Sequence, residues 1–170
     1  HSNLDLKFLP HVSGAPPDLS EMLEPHVNEY IPNFERRLES LVRLTRDAGI
    51  EPVLLTQPSL FGDGTDPATG VDLGTVVIGN DMTGRKLWTM LELYNDVTRR
   101  VGEQEGVLMI DLARELEKNS DFHYDGIHFT NIGSAEVANL VYRRLRPYLA
   151  TNYPSFRKPE EPEDSRDRAL

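Results

Sequence analysis

The sequence contains no cysteine among its 170 residues. The chain can therefore form no disulfide framework, and it holds neither a thiolate nucleophile nor a cysteine ligand for zinc. The redox compartment stays undetermined, so extracellular, periplasmic and cytoplasmic locations all remain open.

Long apolar runs and positive charge are also scarce. No apolar stretch approaches the roughly 20 residues that a membrane helix needs, and no signal peptide is visible. The chain has 18 basic against 28 acidic residues, which gives a formal net charge of -10. No basic stripe exists to neutralise phosphates. We therefore expect no nucleic-acid partner and no membrane span, and a small molecule or a neutral polymer as the substrate.

The length and the hydrophobic content predict one soluble globular domain with a real core. The domain is expected over residues 1–150. A tail over 151–170 is rich in charge and proline, a composition that normally stays solvated. The sequence begins with His1 rather than Met, and we expect that a segment upstream of it is missing.

Hydrophobic periodicity predicts three long amphipathic helices, and two apolar runs predict strands that are buried on both faces. A helix followed directly by such a strand is half of a βαβ unit, so the two strands are expected to be parallel neighbours. The helices are expected at 33–48, 85–102 and 134–146, and the strands at 52–56 and 106–110. A shorter helix is expected over Leu112 to Lys118, and another from Asp18 to Leu23, ending before Pro25.

A long segment rich in Gly, Asp, Pro and Thr joins the first strand to the second long helix. A loop of about 25 residues is unusual in a compact domain and is commonly a lid or a binding loop. We expect this 57–84 loop to overhang the site and to contain a small strand at 76–78. Its aspartates do not follow the 12-residue calcium pattern.

The stretch from Tyr124 to Thr130 carries the candidate chemistry. Asp125 precedes His128 by three residues on a tight turn that contains Gly126. A carboxylate in this place can fix the tautomer of the imidazole and stabilise the imidazolium that forms when the ring accepts a proton. The spacing alone is common, but it follows the second predicted strand, where open α/β sheets keep their sites. His128 is therefore predicted to be a general base.

Four segments occur in a recognisable order: P-V-L-L-T-Q-P at 52–58, L-Y-N-D at 93–96, G-V-L-M-I-D-L at 106–112 and Y-D-G-I-H-F-T-N-I-G at 124–133. This set resembles the C-terminal half or more of an SGNH/GDSL hydrolase, over about residues 27 to 148. The resemblance implies a three-layer α/β/α fold with a parallel sheet, similar to flavodoxin and incomplete at its N-terminus.

The resemblance also implies hydrolysis of acyl esters, in small molecules or as acetyl groups on glycans or lipids. It makes Asp125 and His128 the acid and base of the family's D-x-x-H block. Gln57 and Tyr124 are candidate substrate-binding residues. Neither a cofactor nor a metal ion is required by this interpretation.

The chain departs from the family where the nucleophile belongs. No serine follows Gly-Asp, and Gly79-Asn80-Asp81 lacks the residue that separates Gly from Asn in the family's G-x-N-D motif. The nucleophilic serine and most of the oxyanion hole are therefore expected in a missing N-terminal segment or in a second chain. Without that segment, residues 1–170 are expected to be inactive and to aggregate or to bind another polypeptide.

Two alternatives stay open at this point. The pattern H-x-D-x-x-H would place three ligands of a metal-dependent hydrolase on one turn, namely His123, Asp125 and His128. The other alternative is a non-catalytic module in which an SGNH-like architecture binds a glycan or a partner. His11 and His26 have no partner at ligand spacing and are expected at the surface.

Overall fold

The computed structural model describes residues 5–13 and 18–156, which form a mixed α/β arrangement with a large share of helix. The helices in these residues are α1 (Ser20–Pro25), α2 (Ile31–Asp47), α3 (Gly84–Gln104), α4 (Leu112–Glu115) and α5 (Asn131–Asn152). The strands are β1 (Val53–Leu55), β2 (Val77–Gly79), β3 (Met82–Thr83) and β4 (Leu108–Ile110). None of the described helices is both long enough and apolar enough to cross a membrane.

Strands β1 and β4 form a two-stranded parallel sheet. Val53 lies opposite Leu108, and Leu55 lies opposite Ile110. The prediction that the apolar runs at 52–56 and 106–110 are parallel neighbours is therefore confirmed. The connection between them contains the long loop and α3, as a parallel pairing requires.

Helices cover both faces of this sheet. On one face, Leu54 packs against a buried cluster that includes Val42 of α2 and Val101 of α3. On the other face, Ile110 belongs to a cluster with Leu140 of α5. The α/β class is thus confirmed with a small parallel sheet of two strands, whereas the complete three-layer fold implied by the resemblance is not shown in the described residues.

Two helix boundaries predicted at prolines are wrong. Helix α1 includes Pro25 and continues through a π-helical turn, His26–Tyr30, directly into α2. Pro25 has no N–H to donate, so the carbonyl of Glu21, an exposed residue, loses its helical donor. Helix α5 likewise contains Pro147 and continues beyond the predicted end at 146. The carbonyl that loses its donor there is that of Arg143, which is exposed and can bind water instead.

The loop over 57–84 packs around a core of its own. This core contains Leu6 from the N-terminal segment, together with Leu60, Phe61, Leu73 and Val76 from the loop, and none of them is more than 1% exposed. The predicted small strand is confirmed as β2, which forms an antiparallel hairpin with β3.

The sequence Gly79-Asn80-Asp81 forms the turn of that hairpin. Asn80 and Asp81 have positive φ angles of 47° and 59°, the left-handed conformation that two-residue hairpin turns require. Asn and Asp tolerate this conformation better than other side chains. Local turn geometry therefore explains these residues, in agreement with their exclusion as the family's G-x-N-D motif.

Candidate active site

The turn that carries Asp125 and His128 is closed by its own backbone and by the aspartate side chain. The amide of Tyr124 donates to the carbonyl of His128 at 2.8 Å. Oδ1 of Asp125 accepts from the amides of Ile127 and His128 at 2.8 and 2.9 Å. This is the local bonding for which aspartate is favoured at the start of turns. It fixes the direction of the carboxylate independently of the imidazole.

The second carboxylate oxygen faces the ring. Oδ2 of Asp125 lies 2.8 Å from Nδ1 of His128. A carboxylate can only accept, so this contact favours the tautomer with the proton on Nδ1. Nε2 is then the basic nitrogen, and no group in the described part of the chain hydrogen-bonds to it. Both side chains are accessible, at 51% for Asp125 and 72% for His128.

The hydrogen bonds of the turn lower the pKa of Asp125 to about 2. The amides of His128 and Ile127 contribute most, followed by the imidazole of His128. The carboxylate is therefore charged throughout the neutral and mildly acidic range, as an imidazolium-stabilising group must be.

Gly126 attaches the turn to the beginning of the long loop. Its carbonyl accepts from the amide of Leu60 at 2.9 Å and from Oγ of Ser59 at 3.2 Å. The ring of Phe61 lies so close that a Cβ at position 126 would be 2.8 Å from Cε2 of Phe61. Gly126 is not among the glycines with positive φ. Glycine is thus required for close packing and not for an unusual backbone angle.

A buried network joins the carboxyl ends of β1 and β4, where the turn lies. Oγ1 of Thr56 donates to Asp111 at 2.8 Å and accepts from the amide of Ala113 at 2.9 Å. Arg99 donates to both oxygens of Asp111, at 2.8 and 2.9 Å. Burial works to raise the pKa of Asp111, but the hydrogen bonds from Arg99 and Thr56 outweigh it and lower the pKa. Sequence reasoning missed this network.

Gln57, the first predicted substrate-binding residue, is held by its backbone. The amide of Gln57 donates to Oδ1 of Asn95 at 2.8 Å, and Nδ2 of Asn95 donates back to the carbonyl of Gln57 at 3.0 Å. Asn95 is 2% exposed, whereas Gln57 is exposed. The L-Y-N-D segment, noted only as part of the resemblance, thus supplies the residue that fixes Gln57.

A cleft of about 630 Å³ contains His128 and Gln57. Its wall has no Asp, Glu, Lys or Arg and is predominantly apolar. The lining residues are His26, Gln57, Ser59, Leu87, Met90, Leu91, Tyr94, Ile127 and His128. Tyr124, the other predicted substrate-binding residue, is 42% exposed on the turn and is not part of this lining.

His26 lies in this cleft and not simply at the surface as expected. Its Nδ1 is 2.8 Å from the hydroxyl of Tyr94, and the two rings meet edge to face at 5.8 Å between centroids. Burial, followed by the nearby Tyr30, raises the pKa of Tyr94, so its hydroxyl stays protonated. His11, in contrast, is exposed and bonds to Thr75 and to the carbonyl of Leu6.

The metal alternative is wrong for these residues. His123 is fully buried, its Nδ1 contacts the carbonyl of Asn119 at 3.2 Å, and its ring packs against Phe129. Burial lowers the pKa of His123, so the ring is neutral. Between residues 5–13 and 18–156, no group of three or more His, Asp or Glu side chains is arranged to hold a metal ion. His123, Asp125 and His128 therefore do not converge as ligands.

Ser59 is the serine in the cleft wall beside His128. It is 2% exposed, and its hydroxyl donates to the carbonyl of Gly126. In the structure as described, no serine hydroxyl is hydrogen-bonded to His128. An imidazole oriented by a carboxylate is present, but the described residues bring no hydroxyl to it that would complete a triad.

No family model matches the chain, and neither does any curated protein or solved structure. The resemblance to SGNH/GDSL hydrolases therefore depends on the ordered motifs and remains a prediction.

Proposed function

We propose that this chain supplies the acid–base half of a carboxylic-ester hydrolase of the SGNH/GDSL type. His128 is the general base, and Asp125 orients it. The observation that carries the proposal is the 2.8 Å contact between Oδ2 of Asp125 and Nδ1 of His128. It lies beside a cleft at the carboxyl side of a parallel sheet, with Nε2 available to a substrate or a nucleophile.

The chemistry follows from the protonation states. Nε2 of His128 removes the proton of a serine hydroxyl as the serine oxygen attacks the ester carbonyl. Asp125 stabilises the resulting imidazolium. The proton then passes from Nε2 to the departing alcohol oxygen, leaving an acyl-serine. Water attacks this acyl group, Nε2 accepts the proton of the water, and that proton returns to the serine oxygen as the acid leaves.

The cleft supports an acyl ester as the substrate, either a small molecule or an acetylated glycan. An uncharged, largely apolar wall favours an uncharged apolar group, because burying a charge there without a partner is costly. The side-chain amide of Gln57 donates once to the carbonyl of Pro58 at 3.1 Å and keeps Oε1 and its second N–H for the polar part of the ester. Tyr124 is 42% exposed on the turn of Asp125 and His128.

In this proposal the nucleophile comes from outside the 170 residues, either from an upstream segment or from a second chain. Three observations support this. The sequence has no Gly-Asp-Ser, and Ser59 is already engaged by Gly126. In addition, the second edge of β1 pairs with no strand in the described residues. An unpaired strand edge is a template for a further strand.

An apolar groove of about 840 Å³ lies next to β1, between that strand and the end of α5. Val53 of β1 and Leu149 of α5 are among the residues that line it. In the proposal, the additional segment covers this groove as well as the strand edge, because an apolar surface of this size is unfavourable when it stays in water.

The test compares the 170-residue chain with a polypeptide that also includes the upstream segment. The short chain should not hydrolyse nitrophenyl acetate, and it should self-associate in sedimentation experiments. The longer polypeptide should be active, soluble and labelled by a fluorophosphonate at an upstream serine. A soluble, monomeric and fluorophosphonate-sensitive esterase made of residues 1–170 alone would contradict the proposal and would make Ser59 the first serine to replace.

A non-catalytic binding module is the second candidate. It is favoured by the engagement of Ser59 with Gly126, which leaves His128 without a hydroxyl to deprotonate in the described residues. This candidate predicts a longer polypeptide that binds an acetylated glycan but is not labelled by a fluorophosphonate. Labelling at one upstream serine would exclude it.

A further inference from the structure

Lys118 is a partly buried lysine that the proposed chemistry does not use. Its Nζ donates to the carbonyls of Ser59 and Phe61 at 2.8 and 3.0 Å. The same ammonium lies 3.4 Å from the centre of the Trp88 ring. Two carbonyl acceptors and an aromatic face thus replace the water that the ammonium loses.

The ammonium binds two of the three residues that contact the turn of Asp125 and His128, namely Ser59 and Phe61. The carbonyls of 59 and 61 point to Lys118, whereas the hydroxyl of Ser59 and the amide of Leu60 both bind the carbonyl of Gly126. The ring of Phe61 also packs against Gly126. Segment 59–61 therefore lies between Lys118 on one side and the turn of Asp125 and His128 on the other.

We propose that Lys118 is a positioning residue that fixes segment 59–61 and, through Gly126, the orientation of the Asp125 and His128 pair. The effect on turnover rests on the proposed function. The effect on the turn itself does not, and it can be measured without any substrate.

The residues around Lys118 leave space for its contact with Trp88. A Cβ at Gly62 would lie 2.8 Å from Cγ of Trp88 and 3.0 Å from Cε of Lys118. Because residue 62 is glycine, the side chains of Lys118 and Trp88 can contact each other there. Burial lowers the pKa of Lys118 to about 8, although the carboxylates of Glu92 and Asp63 oppose the shift. Ionisable residues whose pKa is shifted by burial are concentrated at functional sites.

A Lys118→Met variant tests the proposal, because it keeps an apolar stem and removes the ammonium. The first measurement is the pKa of the Asp125 carboxyl by ¹³C NMR, made on the 170-residue chain or, where that chain self-associates, on the longer polypeptide. In the unaltered chain it should be about 2, and in the variant it should rise toward the usual aspartate range, because a loosened turn loses its amide donors. The exchange of the Nδ1 proton of His128 with water should accelerate by roughly tenfold or more, as local opening becomes easier.

The matched control is Lys86→Met. Nζ of Lys86 also donates to a backbone carbonyl, that of Asp81, but this contact is on the exposed surface of the β2–β3 hairpin. The control should leave both measurements unchanged. Lys118→Gln keeps one donor for the carbonyls and should change both measurements in the same direction but by less, so it tests the inference if Lys118→Met does not fold.

A folded Lys118→Met protein with an unchanged Asp125 pKa and unchanged proton exchange at His128 would overturn the inference. In the active polypeptide, the same substitution should lower kcat by roughly tenfold or more with little change in KM, because only the alignment of the base is affected. If the NMR changes occur and no esterase activity is found in the unaltered protein, the proposed function fails and the positioning role of Lys118 stands.

Discussion

Asp125 shows how one side chain can both close a turn and orient an imidazole. One of its oxygens closes the turn through the amides of Ile127 and His128, and the other faces the imidazole. Because the first oxygen is fixed by local bonds, the second is aimed at His128 before any substrate arrives. Pre-organisation of this kind is what a general base requires.

The titration of Asp125 provides a prediction at the residue scale. A carboxyl whose pKa is lowered on folding stabilises the folded turn at all pH values above its ordinary pKa, and this stabilisation is lost as the pH falls toward the folded value. With a folded pKa of about 2, the carboxyl should stay ionised and keep its hydrogen bonds at pH 4, be half protonated near pH 2, and titrate over roughly pH 3 to pH 1. The ¹³C shift of the carboxyl and the amide shifts of Ile127 and His128 should change together in that range. A midpoint near 4 would contradict the geometry of the turn.

The residues that the sequence pattern revealed have partners that are close in sequence. The residues that it did not reveal have partners that are far away in sequence. Asp125 and His128 are three residues apart, so a local pattern reveals them. Lys118 meets its carbonyl acceptors 57 and 59 positions away, and Asn95 meets Gln57 at a separation of 38. Contacts at such separations depend on the tertiary fold and leave no local pattern.

At the scale of elements, the long loop is fastened to the segment before the turn by Asp66. This carboxylate is fully buried and accepts from the amide and the hydroxyl of Ser120, both at 2.8 Å, and from the amide of Thr69 at 3.1 Å. Burial opposes its ionisation, but the hydrogen bonds from Thr69 and Ser120 lower its pKa. This aspartate of the long loop is therefore a structural acceptor.

Replacing Asp66 by Ala should destabilise the fold by about 2 to 3 kcal/mol, because the buried amide of Ser120 loses its acceptor. The control is Asp63→Ala, which removes an exposed carboxylate that pairs with Arg85 and should change the unfolding free energy by no more than about 0.5 kcal/mol. Chemical denaturation followed by the fluorescence of Trp88 measures both. Equal effects of the two substitutions would show that Asp66 does not fasten the loop.

The elements that the sequence predicted well are those with a strong repeat of apolar residues. Helices α2 and α3 follow amphipathic patterns, and β1 and β4 follow short apolar runs. The errors arose at Pro25 and Pro147, where local propensity predicts an end but the helix continues. Local helix propensity accounts for the hydrogen bond that a proline cannot make. Packing of the neighbouring turns against the rest of the protein decides whether the helix continues through the proline.

At the scale of the whole molecule, the described residues form a small sheet with helices on both faces and considerable exposed apolar surface. Leu41 and Leu44 of α2 are 58% and 66% exposed, and Leu55 of β1 is 42% exposed. Together with the unpaired edge of β1, this surface is consistent with a further segment that completes the sheet. The same segment is where the proposal expects the nucleophile.

The most direct test of the proposed role of His128 is the turnover of a nitrophenyl ester by the active polypeptide with and without His128→Ala. The account predicts that kcat falls by roughly 10³-fold or more, as when a member of a catalytic triad is removed. His11→Ala, which removes an exposed imidazole outside the cleft, should change kcat by less than about twofold. A loss of less than about tenfold on replacing His128 would contradict the account and would make His128 a structural residue of the turn.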